Sequence, residues 1–137
     1  MTVGHDLFST YFIVRDYECD LQGIVNNANY QHYLEHARHE FLLSRGISFS
    51  MLHDEGIDLI VTHVEINYKY PLKSRDHFYV TARVERQGNA RLLFSQEIIN
   101  SVDNKLCAMA KVTGAVSKKG KPIPPPHNIL EKLGLEQ

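Results

Sequence analysis

Four polar residues and a glycine crowd a short stretch ahead of a helix signal: Asp20, Gln22, Gly23, Asn26 and Asn27. A carboxylate in that position lies close to a helix N-terminus, whose first backbone N–H groups have no partner inside the helix and can hold negative charge developing on a substrate oxygen. Together they form a minimal kit for attack on an activated carbonyl. The amides hold the carbonyl oxygen while Asp20 directs a water or attacks directly. The same position also suits an aspartate that only stabilises the loop or the helix dipole. The sequence contains no G-x-S-x-G elbow, P-loop, G-x-G-x-x-G or H-E-x-x-H.

These residues need a scaffold, and the hydrophobic pattern supplies one. Phe8 to Tyr17 is rich in aromatic and β-branched residues and reads as a strand. Glu18 to Asn29 has loop chemistry. Tyr30, Tyr33, Leu34, Ala37 and Phe41 then fall within ~100° of a helical wheel, which predicts a helix from about Asn29 to Arg45. Asn27 or Asn29 can cap its start, and Gly46 suits a left-handed stop. A short helix around Phe49 to Glu55, ended by Gly56, follows.

Beyond Gly56 the period changes to two. Val64, Ile66, Tyr68 and Tyr70 alternate with polar residues until Pro71, and Phe78 to Glu85 alternates likewise. Arg91 to Asn100 is apolar on both faces, and Leu106 to Val116 makes a further strand. Turn signals at Gln87-Gly88-Asn89 and Asp103-Asn104 join the last three as hairpins. The tail has Pro122, Pro124 to Pro126, and an apolar piece at Ile129, Leu130 and Leu133. This order predicts an α+β domain with a five-stranded, mainly antiparallel sheet and one long helix on one face. One helix covers such a sheet poorly and leaves an edge open, so a second copy is the economical way to close both deficits.

A chain of 137 residues with 43% apolar content is one domain with a real core. Lys plus Arg is 15 and Asp plus Glu is 16, a net charge of −1, which argues against a nucleic-acid partner held by a broad basic face. Two cysteines and no leader-like or membrane-length apolar run point to a soluble protein in the reducing cytoplasm, with no membrane partner.

The run Asp20-Leu-Gln-Gly-Ile-Val-Asn-Asn-Ala-Asn-Tyr30, followed by Tyr33, Glu35, Ala37 and Arg38, resembles the hotdog-fold acyl-CoA thioesterases of the 4-hydroxybenzoyl-CoA thioesterase type. Their pattern is D-x-x-G-h-V-x-x-x-x-Y-x-x-[YF]-x-E-x-A-R, with h apolar, and it is far more specific than a lone glycine pattern. Val-Asn-Asn-Ala-x-Tyr is closest to the branch acting on long-chain acyl-CoA. The likeness continues through Asn67-Tyr68-x-Tyr70-Pro71-Leu72 and Asp76, so it covers most of the chain.

The resemblance implies a single hotdog domain over residues 1–137 and hydrolysis of acyl-CoA to carboxylate and free CoA, without metal or organic cofactor. It implies a homodimer with a continuous ten-stranded sheet, or a homotetramer. Asp20 falls on the catalytic aspartate, as general base or nucleophile, and the backbone N–H near Asn27 on the group that polarises the thioester carbonyl. Some relatives have His at Ile24 or at Asn27. Ile24 leaves Asp20 without an imidazole partner, which suits a thiol leaving group of pKa ~8.5 that departs with little acid assistance. Gly23, Tyr30, His63 and Arg91 are the substrate-side candidates. Tyr30 is a core residue able to line an acyl tunnel, and His63 lies on the strand that faces the partner's Asp20 loop. Arg91 is the choice for the CoA phosphates among Lys73, Arg75, Lys118 and Lys119. Alternatives are a non-catalytic acyl-binding hotdog module, or a thioesterase for aryl-CoA or acyl-carrier-protein substrates.

Other residues have plainer readings. His32, His36 and His39 have metal-like spacing but project away from the apolar stripe, onto a solvent or subunit face. Cys19 adjoins Asp20 without a histidine placed to activate it, and Cys107 reads as packing. Glu35 and Arg38, one turn apart, read as a structural ion pair.

Overall fold

The computed structural model describes residues 7–136. Residues 1–6, where the absence of a leader was read, lie outside them. Strand β1 (Phe8–Ile13) leads through a 3-10 turn at Asp16–Glu18 to helix α1 (Asn27–Ser44) and a short helix α2 (Phe49–Asp54). Strands β2 (Ile57–Tyr68), β3 (His77–Gln87), β4 (Arg91–Asn100), β5 (Leu106–Lys118) and β6 (Lys121–Ile123) follow, then helix α3 (His127–Leu133). The sheet is antiparallel in the order β1-β3-β4-β5-β2, with β6 paired to β5. The expected α+β architecture and five-strand path are present. The sixth strand continues along β5 where β4 has ended, with Val116 opposite Ile123 just past the Arg91–Ala115 pair.

All five residues of the apolar stripe are buried, together with Leu42. Tyr30, Tyr33 and Leu34 pack with Phe78, Val80 and Ile98, while Phe41 and Leu42 pack with Leu92, Phe94 and Val112. Gly46, at φ +79°, lets the chain leave α1: Gly46 N–H donates to the Leu43 carbonyl and Ile47 N–H to that of Leu42. The predicted tail segment folds as α3 and buries Ile129, Leu130 and Leu133.

Several boundaries differ from expectation. β1 stops at Ile13, not Tyr17, because Val14 turns into the core and its N–H bonds the Asp76 carbonyl. α1 starts two residues earlier, capped by Asn26 rather than Asn27 or Asn29. The Glu35–Arg38 ion pair does not form. Arg38 instead donates to Gln96 Oε1 at 3.1 Å, and Gln96 Nε2 donates to the Leu34 carbonyl at 3.1 Å.

Gln96 is only 2% exposed, so this strut fastens α1 to the sheet from inside. Gln96→Leu deprives a half-buried guanidinium of its acceptor, and an expected loss of about 1–3 kcal/mol should appear as a lower urea midpoint at unchanged slope. β1 and β2 are the sheet edges, and the twelve-residue β2 carries a bulge between Val61 and His63. No helix among the described residues is long and apolar enough to cross a membrane.

Candidate active site

The polar run ahead of α1 is a loop folded back on itself and pinned to the rest of the chain. Cys19 pairs with Val25, and Asp20 N–H donates to the Ile24 carbonyl at 2.8 Å. Ile24 pairs with Lys73, and Val25 N–H donates to the Leu72 carbonyl at 2.8 Å. The supporting turn at residues 73–76 is held by Asp76, whose Oδ2 accepts the Lys73 N–H at 2.9 Å. Inside the loop Gly23 N–H closes a turn on the Asp20 carbonyl, with Gly23 at φ +83°. Gly23 thus shapes the turn.

The turn aims the Asp20 carboxylate. Oδ1 accepts N–H bonds from Gln22 at 2.8 Å and, more weakly, from Ile24 at 3.4 Å. Oδ2 has no partner among the described residues, and the side chain is exposed in the single chain. One oxygen fixes the carboxylate, and the other is free to accept a proton or attack.

At the helix start, the Asn26 side chain accepts the Ala28 N–H at 3.0 Å and the Asn26 carbonyl accepts the Asn29 N–H at 2.9 Å. Asn27, the first helical residue, is left with an N–H that meets no acceptor among the described residues. The cap consumes its neighbours' donors and leaves this one at the positive end of the α1 dipole.

Glu18 joins the two halves, and sequence reasoning missed it. Its carbonyl accepts the Asn26 N–H and the Asn29 side-chain amide, both at 2.9 Å. Its carboxylate accepts the Arg15 N–H at 2.9 Å and the Tyr33 hydroxyl at 2.8 Å. Burial and then this carboxylate push the Tyr33 hydroxyl well above the usual phenol range, so it stays a donor. Tyr33→Phe should cost about 1 kcal/mol in a thermal melt, the typical worth of such a bond.

The remaining expected residues separate into distinct places. Tyr30 is buried, its ring 5.1 Å from that of Tyr68 and its hydroxyl accepting the Leu72 N–H. His63 is exposed on the sheet face opposite α1, since the alternation that turns Val64 and Ile66 inward turns His63 and Glu65 outward. Arg91 donates to Thr62 Oγ1 at the β2 bulge, 2.8 Å away. Within one chain it lies at the far end of β4 from the Asp20 loop, about 30 Å by strand rise. Arg75 faces Asp16 at 3.7 Å.

The α1 histidines do not converge: His36 packs edge-on against Phe12 and His39 lies 4.4 Å from the Phe49 ring. The one three-ligand group among the described residues is His127, Glu131 and Glu136, exposed around α3. Both cysteines are free. Burial, then the charges of Asp16, Asp20 and Glu18, push the Cys19 thiol up, which makes it a poor nucleophile.

Residues 14–133 match the model of the Thioesterase-like superfamily. A chloroplastic acyl-acyl carrier protein thioesterase of Arabidopsis thaliana is 36% identical over 121 residues, 88% of this chain and 64% of its own length. The chain thus spans somewhat under two thirds of that relative. A long-chain acyl-CoA thioesterase of Escherichia coli is 30% identical over 104 residues, 76% of this chain and 78% of that protein. The crystal structure of a hypothetical protein from Aquifex aeolicus superposes with a TM-score of 0.86 at 33% identity, covering 92% of this chain and 98% of that one.

Proposed function

The chain belongs to the thioesterase-like superfamily, and from that premise we propose that it hydrolyses acyl-CoA thioesters to carboxylate and free CoA. The observation that carries this reading is that one pinned loop and the helix start it leads into hold a carboxylate oxygen and an N–H, both without a partner among the described residues.

In the reaction we infer, the thioester carbonyl oxygen accepts the Asn27 N–H, which stabilises the charge gained when the carbonyl carbon becomes tetrahedral. Asp20 Oδ2 takes a proton from a water as that water's oxygen bonds the carbonyl carbon. The tetrahedral intermediate collapses, the C–S bond breaks, and the sulfur leaves as CoA thiolate with both bonding electrons. Direct attack by Asp20 would give a mixed anhydride that water then opens. Neither route draws on a metal or an organic cofactor. Release of labelled oxygen into Asp20 or into product during a single turnover in heavy-oxygen water separates them.

The site is completed, on this reading, by a second copy. β2 is a twelve-residue edge with Ile60, Val61 and Tyr68 exposed along it, an edge that folded proteins seldom leave bare. Pairing of two β2 strands extends the sheet across the dimer and brings the His63 and Arg91 region of one copy toward the Asp20 loop of the other. Arg91 then offers a charge for the CoA phosphates.

A second carrier is favoured by one observation: the Arabidopsis relative is named for acyl carrier protein thioesters. Release of free thiol from acyl-CoA and from acyl-carrier-protein thioesters of matched chain length tests both. Turnover of acyl-CoA is the expected result. Tight acyl-CoA binding with no thiol release would overturn the enzymatic reading in favour of a binding module.

A further inference from the structure

Resting on the hydrolysis reading above, we propose that the acyl chain runs between α1 and the inner face of β2, and that Gly114 and Leu59 form the floor that limits its length. The two elements lie antiparallel. Tyr68, at the end of β2, meets Tyr30 in the first turn of α1, whereas Leu59, near the β2 start, shares a cavity with Leu42 toward the α1 end. Between them Ile66 and Val64 point to the same side and are only partly buried. A strip of apolar side chains therefore stays half-covered along an edge strand, beginning beside the helix start that bears the free amide.

On the helix side, Asn27, Gln31, Arg38 and Leu42 fall within about 60° of the wheel, so one face leads from that amide along the groove. The groove ends in a cavity of about 70 Å³ whose apolar wall includes Leu42, Phe49, Leu59, Phe94 and Gly114, with Glu35, Arg38 and His39 also lining it. Arg38 and Leu42 stand about 17 and 22 Å along the axis from Asn27 at helical rise. An extended palmitoyl chain passes the level of Arg38 and enters the cavity, whereas a dodecanoyl chain stops short of it. The chemical class is thus a linear aliphatic acyl group, long enough to reach the cavity.

Gly114 determines how much of the cavity stays open. It occupies the middle of β5, where glycine weakens a strand and marks a close approach by a neighbour. A Cβ there would stand 3.3 Å from Leu59 Cδ1 and 3.7 Å from the Ile60 carbonyl oxygen. The backbone oxygen is fixed by the β2–β5 ladder, so Leu59 is the group that yields, and it yields into the cavity. Glycine lets Leu59 lie back, and any side chain at 114 shortens the channel.

The test compares wild type, Gly114→Ala and Leu59→Ala on butyryl-, decanoyl- and palmitoyl-CoA. Affinity for the non-hydrolysable 2-oxoalkyl-CoA thioethers of the same lengths is measured by calorimetry alongside. Gly114→Ala should lower the palmitoyl-to-butyryl ratio of kcat/KM, and of affinity, by about 10-fold, the effect of excluding one or two buried methylenes. Leu59→Ala should move that ratio the other way, and it reads the same floor should the glycine variant fold poorly. Ratios that stay within twofold of wild type in both variants would overturn the proposal. Thiol release separates the two claims: chain-length discrimination in binding without turnover refutes hydrolysis alone, whereas turnover with unmoved ratios refutes the floor alone.

Discussion

Asp20→Asn should lower kcat/KM for the preferred acyl thioester by about 10³, or ~4 kcal/mol of transition-state stabilisation. The substitution is isosteric, and the asparagine Oδ1 keeps both N–H bonds that orient the present side chain, from Gln22 and Ile24. The loop is otherwise held by main-chain bonds to Leu72 and Glu18, which the change does not touch. What is lost is the free oxygen: Nδ2 is a donor and can neither accept a proton from water nor attack carbon. The loss should therefore fall on kcat, with KM and melting temperature near wild type. A comparable fall in melting temperature would mean that the carboxylate was serving the loop and not the reaction.

The second large effect is read through the backbone. Asn27→Pro deletes a single N–H at the one helical position where proline is at home, the first residue of the helix. Asn26, at φ −67° and ψ 140°, already has the extended conformation that a residue preceding proline adopts. Its side chain still caps through the Ala28 N–H. The helix should survive while kcat falls by about 10²–10³, the usual worth of one oxyanion donor. Asn27→Ala keeps the N–H and most of the rate, which assigns the effect to the main chain. Circular dichroism of the proline variant checks that α1 is intact.

Local patterns made much of this fold readable in advance. The stripe from Tyr30 to Phe41 required only helical periodicity, and β4 begins and ends at Arg91 and Asn100 because a turn signal bounds each end. Pairings between distant residues were not readable. The sequence pointed to Asn27 or Asn29 as the cap of α1, and Asn26 takes that place. The choice of Asn26 depends on the Glu18 carbonyl, which accepts the Asn26 N–H and holds the Asn29 side chain eleven residues away from it in sequence. The Glu18–Tyr33 bond spans fifteen residues and left no spacing signature.

Arg38 faced a similar choice. Its near neighbour Glu35 offered an exposed pair of little worth, whereas Gln96, fifty-eight residues on, offers a buried acceptor. The histidines spaced for a metal on α1 are drawn apart by Phe12 and Phe49, which no helical wheel contains. The strand β6 is three residues long, too short for a period, and exists because β5 outruns β4. The position of Asp20 was legible as residue type and spacing. Its free oxygen was not, since that depends on which N–H groups the Gly23 turn delivers.

The most direct test is release of CoA thiol from dodecanoyl-CoA by wild type and Asp20→Asn, followed by disulfide exchange on proteins of matched melting temperature. A clear wild-type turnover that drops by two to three orders of magnitude in the variant is the predicted result. A folded asparagine variant that turns over within about threefold of wild type would remove the carboxylate from the chemistry and contradict the account.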